Sequence, residues 1–329
     1  MFRYIAHRVL LFIPVLLGVV VIIFTLMYVT PGDPALSILG ENATPEQIAA
    51  LHVKLGLDDP YIVQLGRFFI NLLLGDLGTS YRSGRPVLEE ILARYDNTLI
   101  LAFSSVALGM IIGVTAGIIA AVKQYSFLDK FLTIFSLMGV SAPSFWIAMV
   151  LVVIFSVHLR WLPVTGIASF KHWILPVFTL GLQASASIMR MTRSSMLEVI
   201  RQDYVRTSQA KGQTEFITIM RHAFRNALIP IITVIGIQIC GFLAGAVLVE
   251  TVFGIPGVGK FIVDSVNFKD YPVVQGAVFW IGLNCVFINL CVDIIYSFVD
   301  PRIKVQYSRG KPKKIKAEAL SAATGAAHE

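Results

Sequence analysis

The chain has 329 residues, 56% of them hydrophobic and only 14% charged, with a net charge of +7. Soluble domains carry about 25% charged residues, so this composition excludes a water-soluble chain and predicts several membrane spans. The basic excess then reads as topology, because Lys and Arg gather on the cytoplasmic side of membrane proteins, and no nucleic-acid partner is expected.

In chain order, residues 9–29 are uncharged and too long for the apolar part of a secretory signal. Pro31-Gly32-Asp33-Pro34 offers no small-x-small cleavage site, so an uncleaved first span is expected. Residues 30–97 form a long outer segment. Thr44-Pro45-Glu46-Gln47 is a helix start, with Thr as N-cap, Pro at the first helical position and Gln three residues after the cap. That helix should run to Leu55 and stop at Gly56. Residues 61–74 mix apolar side chains with Gln64 and Arg67, which predicts an interfacial helix or one lying against the bundle. A seventh span there is the rival reading.

Further spans are expected at 98–122, 131–157, 174–189, 227–249 and 276–299. The span at 174–189 is the shortest and carries Pro176 near its start. Gly109, Gly113 and Gly117 recur every four residues, a smooth face for close helix packing. With the N-terminus inside, 18 of the 27 Lys and Arg residues fall on the inner side, so both termini are expected in the cytoplasm. Three segments follow: 1–97 with the first span and outer helical segment, a core at 98–302, and a basic tail at 303–329, useful for topology or contact with membrane lipid.

The inner loop at about 190–226 is the most informative stretch. Apolar residues recur at helical spacing from Met191 to Ile200 and again from Thr214 to Phe224. Gly212 sits between, where a reversal with positive φ suits glycine, so two short helices hinged there are expected. A short helix across a bundle's inner face can sit in a groove on a soluble partner. An ordinary amphipathic interfacial loop would share this pattern.

Particular residues separate the two. Asp203-Tyr204-Val205-Arg206-Thr207-Ser208-Gln209-Ala210-Lys211-Gly212 and Arg221-His222-Ala223-Phe224-Arg225-Asn226, running on to Thr233, resemble the coupling loop of permeases of ATP-binding-cassette importers for dipeptides, oligopeptides, glutathione or nickel. Pro31-Gly32-Asp33-Pro34, Gly75-Asp76-Leu77-Gly78, Met191-Thr192-Arg193-Ser194-Ser195-Met196, Asp270-Tyr271-Pro272-Val273-Val274-Gln275 and Asp300-Pro301-Arg302 are similar to that family's segments, in the same order. One departure is visible. The wider class has Glu-Ala-Ala before the glycine, where this chain has Arg206-Thr207-Ser208, which resembles the peptide-importer variant.

The resemblance implies an all-α polytopic membrane protein of about six spans with the type I importer permease fold. It implies a bacterial cytoplasmic (inner) membrane subunit with no catalytic residue, metal or cofactor of its own, ATP and magnesium being bound by partners. Those partners would be a second homologous permease, two ATPase subunits and an extracytoplasmic substrate-binding protein. Asp203, Tyr204, Arg206, Ala210, Lys211, Gly212, Arg221, His222, Arg225 and Asn226 would form the ATPase contact. Short peptides are the implied substrate, with nickel, glutathione or another small solute as alternatives.

Other candidates compete. Gly254-Ile255-Pro256-Gly257-Val258-Gly259-Lys260-Phe261 matches a phosphate-binding loop for seven positions and fails at the eighth, where Phe261 cannot hold magnesium. An outer structural turn, re-entrant or touching the delivery protein, is expected instead. Asp293 is the only charge inside the six predicted spans, and an ion-coupled secondary carrier would use it. Its place near the inner helix end also suits an ion pair. Gln183, Ser185, Ser187 and Gln238 lie at depth and would line a pathway or bond neighbouring helices. Cys240, Cys285 and Cys291 read as small packing residues. The histidines His7, His52, His158, His172, His222 and His328 show no ligand spacing, which disfavours a membrane-embedded enzyme.

Overall fold

A computed structural model describes residues 2–40 and 42–299; the expected tail at 303–329 and the Asp300-Pro301-Arg302 motif lie outside them. Apart from connections and one isolated bridge between Thr79 and Pro86, the described chain is helical. This follows from the solvent: in lipid a helix satisfies its own backbone donors and acceptors.

Helix α1 (Phe2–Val29) leads to three short helices, α2 (Pro34–Leu39), α3 (Pro45–Leu55) and α4 (Tyr61–Leu73). The α3 start has the capping box read from its sequence. The Gln47 N–H donates to Thr44 Oγ1 and the Thr44 N–H to Gln47 Oε1, while Gly56 closes the helix at φ +67°. At 13 residues α4 spans about 20 Å, short of a bilayer core of about 30 Å. It lies against α1, stacking Phe68 on Phe24 at 5.8 Å and pairing the Tyr61 and Thr25 hydroxyls at 2.7 Å.

Five helices are long and apolar enough to cross a membrane, and one sharply bent pair raises the number to six. After α1 comes α5 (Val87–Val122), which starts at Val87 rather than Thr98. Its 36 residues exceed the length of a bilayer core, so the charged first turns with Glu90 and Arg94 extend beyond the apolar part.

The expected continuous span at 131–157 is corrected by the structure. Helix α6 (Phe127–Ser141) and helix α7 (Ser144–His158) meet at a 103° bend. The bend lies at Pro143: a proline disfavours the helical region for the residue before it, and Ala142 is extended at φ −78°, ψ 129°.

Helix α8 (Phe170–Ile200) also outruns its predicted bounds of 174–189. No breaker stands between Met189 and Ile200, so the helix continues through Arg190, Arg193 and Glu198. Short helix α9 (Asp203–Ala210) follows, then α10 (Glu215–Ala244), whose residues Thr218–Phe224 are wound as a π-helix. The chain ends with α11 (Val247–Val252), α12 (Val258–Asn267) and α13 (Tyr271–Val299).

The α5–α8 pair is the centre of the bundle. Leu101, Ala102 and Val106 of α5 are buried with Leu180, Ala184 and Ile188 of α8. The three glycines explain the approach. A Cβ on Gly109 would lie 2.5 Å from Ala184 Cβ, on Gly113 2.6 Å from the Ser185 carbonyl oxygen, and on Gly117 2.5 Å from Thr192 Cβ. The four-residue spacing therefore marks a backbone contact, as the sequence predicts.

Candidate functional site

The loop between α8 and α10 differs from its predicted form in a useful way. Residues 191–200 and 214–224 are not separate short helices; they are the ends of the two long helices α8 and α10. Only α9 is short and free-standing, and Gly212 turns the chain from it into α10 with φ +76°. Displacement of α9 thus reaches two membrane helices through two short joints.

Those joints are bonded. Ser208 is buried on α9, and its hydroxyl donates to Gln213 Oε1 at 2.6 Å and pairs with Thr218 Oγ1 at 3.2 Å. Gln213 Oε1 also meets His222 Nε2 at 2.9 Å, and Asn226 Nδ2 donates to the His222 carbonyl at 2.7 Å. Val205 is buried on the inner face of α9. Ser208, Thr218, Gln213 and His222 therefore hold α9 onto α10. Asp203, Arg206, Ala210, Lys211, Arg221 and Arg225 are exposed, together with Phe216 at 75%. Of the ten residues grouped from the sequence, only His222 bonds across to the α9 side, Gly212 forms the turn, and the other eight, Tyr204 and Asn226 among them, are exposed.

The glycine-rich run at 254–261 has an internal explanation that its sequence hides. Glu250 on α11 is fully buried, and the loop wraps its carboxylate. Thr98 Oγ1 donates at 2.8 Å, the Lys260 N–H at 2.8 Å, and the Gly259 N–H also contributes. The Val258 N–H donates to Thr98 Oγ1 at 2.9 Å. These are the first N–H groups of α12, which need an acceptor. The loop resembles an anion cradle because it holds one, a carboxylate from its own chain. Burial pushes the Glu250 carboxyl above the usual carboxylate range, while its donors pull the other way. Gly257 is required here, since a Cβ would lie 2.2 Å from the carboxylate. Glu250 opens the Glu250-Thr251-Val252-Phe253 stretch that resembles the family's outer loop, but its pairing with Thr98 could not be read from the sequence, because Thr98 sits at the edge of an apolar run 152 positions away.

Beside this loop is a cavity of about 630 Å3. Arg82 lies over the Phe268 ring at 3.8 Å and Arg94 over Phe261 at 4.1 Å. Lys260 pairs with Asp264 at 2.6 Å, and Arg94 with Glu90 at 2.5 Å. Outside the spans, His52 Nε2 meets Asp33 Oδ1 at 2.9 Å, and that bond holds the imidazole pKa above its ordinary value.

Of the four candidate pathway residues, Gln183, Ser187 and Gln238 are half-buried and, among the described residues, not hydrogen-bonded, while Ser185 is buried and donates to the Leu182 carbonyl at 2.8 Å. Asp293 faces Arg8 of α1, with Nη2 to Oδ1 at 3.2 Å. Cys240 and Cys285 meet across α10 and α13 through S–H···O=C contacts of 3.7 Å in each direction.

Comparison with known proteins agrees with this architecture. The family model described as binding-protein-dependent transport system inner membrane component matches residues 113–305, and the corresponding N-terminal model matches residues 1–102. The Dipeptide transport system permease protein DppB of Alkalihalophilus pseudofirmus is 43% identical over 332 residues, covering 92% of this chain and 100% of that protein. The Glutathione transport system permease protein GsiC of Salmonella paratyphi A is 42% identical over 304 residues, covering 92% and 99%. Among solved structures, an inward-facing MetNI methionine ABC transporter aligns over 65% of this chain and 97% of its own, with TM-score 0.54 and 17% identity.

Proposed function

Because this chain belongs to the binding-protein-dependent transport system inner membrane component family, and is a permease subunit of an ATP-binding-cassette importer, we propose that it carries short peptides. We further propose that it is driven through the loop at about 190–226. ATP hydrolysis belongs to separate subunits, so the chain is a transporter component and no enzyme.

The observation that carries the coupling proposal is the bonded α9–α10 unit, with Arg206, Lys211, Phe216 and Arg221 facing outward and α8 and α10 running from it into the bundle. An exposed aromatic beside guanidinium groups is interface chemistry. The unit fits a groove on an ATPase, whose closure would displace α9 and, with it, both long helices. A second homologous permease would complete the pathway, two ATPase subunits would bind ATP and magnesium, and an extracytoplasmic binding protein would deliver substrate. Both termini and the loop face the cytoplasm in this reading, as the distribution of basic residues favours.

Short peptides are favoured by the two relatives, whose names give dipeptide and glutathione transport, both peptide chemistries. The cavity near Gly254 is polar, lined by the Arg94–Glu90 and Lys260–Asp264 pairs together with Arg82. Asp293 is removed from the substrate question by its ion pair with Arg8, which does not leave a free carboxylate for ion coupling.

Purification of the tagged chain in mild detergent tests the assembly. A second permease and Walker-type ATPases should co-purify, and reconstituted vesicles should take up labelled dialanine on ATP addition. Recovery of this chain alone in every detergent would overturn the partner set. Uptake of nickel and not of dialanine would overturn the substrate.

Gly212→Val should uncouple transport with the spans still inserted. Its Cβ would meet nothing within 4 Å, so the strain is confined to a positive φ that β-branched residues avoid. That strain is worth about 1–2 kcal/mol. Gly212→Asn should be close to wild type, since Asn adopts this region. Equal uptake per ATP in both variants would show that the hinge does not matter.

A further inference from the structure

Helix α6 leads into the 103° bend and carries α7 behind it, yet little fixes it to the bundle. Only Asp129 and Ser136 among its 15 residues are buried. An apolar cavity of about 500 Å3 opens between Phe131, Phe135 and Trp146 on the bent pair and Leu182 and Met189 on α8. Apolar contacts resume near Gly139, which faces Ala186, but such contacts are non-directional and can slide. Ser136 donates only to Thr133 of its own helix.

Asp129 is different. Its carboxylate accepts Arg193 Nε at 2.6 Å and Nη2 at 2.9 Å, and the Tyr125 N–H at 2.9 Å. Its residue exposure is 3%. Two parallel guanidinium bonds set orientation as well as distance. Among the described residues this pair is the only side-chain hydrogen bonding between α6 and another membrane helix. Arg193 sits on the part of α8 that continues without a break to Ile200, where the short connection to α9 begins. A stiff arm thus runs from α9 to Arg193, and a bidentate clasp runs from Arg193 to α6.

We propose that the Asp129–Arg193 pair is the joint through which displacement of the loop around Gly212 is carried into the bent α6–α7 pair. The inference rests on the reading of that loop as the ATPase contact. Both residues are positioning residues: they touch no substrate and act by making α6 follow α8. Without the clasp, α6 keeps only its apolar contacts, and α8 can turn without it.

The test uses the complex purified with its ATPase subunits in lipid nanodiscs, with Cys240, Cys285 and Cys291 replaced by alanine. Spin labels are placed on Ile70→Cys with Trp146→Cys, and separately on Ile70→Cys with Lys211→Cys. All three positions are exposed. Addition of ATP and vanadate should change both distances by about 2 Å or more, the scale of helix shifts in switching proteins. Asp129→Asn should keep the Ile70–Lys211 change and abolish the Ile70–Trp146 change. Arg193→Lys, which keeps the charge and loses the fork, should reduce the latter by more than half, and it decides the matter if Asp129→Asn does not accumulate. A full Ile70–Trp146 change in the variants would overturn the joint, as would none in the parent while Lys211 moves. Absence of the Ile70–Lys211 change in the parent would instead overturn the reading of the loop, and the joint with it.

Discussion

Gly113→Leu should abolish accumulation of folded permease, whereas Gly18→Leu should leave it nearly unchanged. Both glycines lie inside membrane helices, so intrinsic helix propensity does not distinguish them. What differs is the space. At Gly113 even a Cβ would stand 2.6 Å from the Ser185 carbonyl oxygen and 2.9 Å from Ile188 Cβ, while at Gly18 nothing lies within 4 Å. Overpacking costs about 1–3 kcal/mol where side chains can shift, and here the obstacle is backbone, so the helices themselves must separate. Among the described residues the α5–α8 contact is the largest between helices, and it lies in the larger of the two buried apolar clusters. Monodisperse yield in detergent, measured for both variants, checks this. Equal yields would mean that α5 and α8 do not meet along this face.

Glu250→Ala should be the most damaging change outside the membrane helices. It leaves the Thr98 hydroxyl and the Lys260 N–H without their buried acceptor. Each unsatisfied group costs about 1–3 kcal/mol, so the loop from Gly254 to Lys260 should open, lowering thermal stability and raising protease sensitivity near Gly257. Glu250→Gln should fall between, because its amide offers one acceptor oxygen and one nitrogen that cannot accept. Wild-type melting and proteolysis of Glu250→Ala would show that the carboxylate is not the organising group. The same geometry gives the rejected phosphate-loop pattern a physical basis: donors that cradle a phosphate in a nucleotide site here cradle a side-chain carboxylate.

Much of the architecture was legible in the sequence. Spans follow from uncharged runs, since an apolar helix is the economical way to bury a backbone in lipid. The α3 helix was readable to its ends, because capping is local: Thr44, Gln47 and Gly56 act within a few residues. A close helix contact along α5 was legible from glycine spacing, although α8 as its partner was not. The Asp293 ion pair was anticipated from depth alone, although its partner Arg8 could not be named from a linear chain.

What the tertiary structure alone decided was where helices stop mattering as spans and start mattering as levers. Hydropathy ended the fourth span at Met189, but a helix ends where its hydrogen-bond ladder breaks, and α8 runs on to Ile200. Charge made the same error at the start of α5. Pro143 was present in the sequence, yet only the structure showed that a single apolar run bends there through 103°. The contacts Asp129–Arg193 and Glu250–Thr98 join residues 64 and 152 positions apart. Periodicity and capping report neighbours along one helix, so the sequence determined the class of the protein, its spans and the loop that resembles a coupling site. Pairing across helices depends on how the helices are arranged, and that decided which of those residues hold the loop, the bend and the outer turn in place.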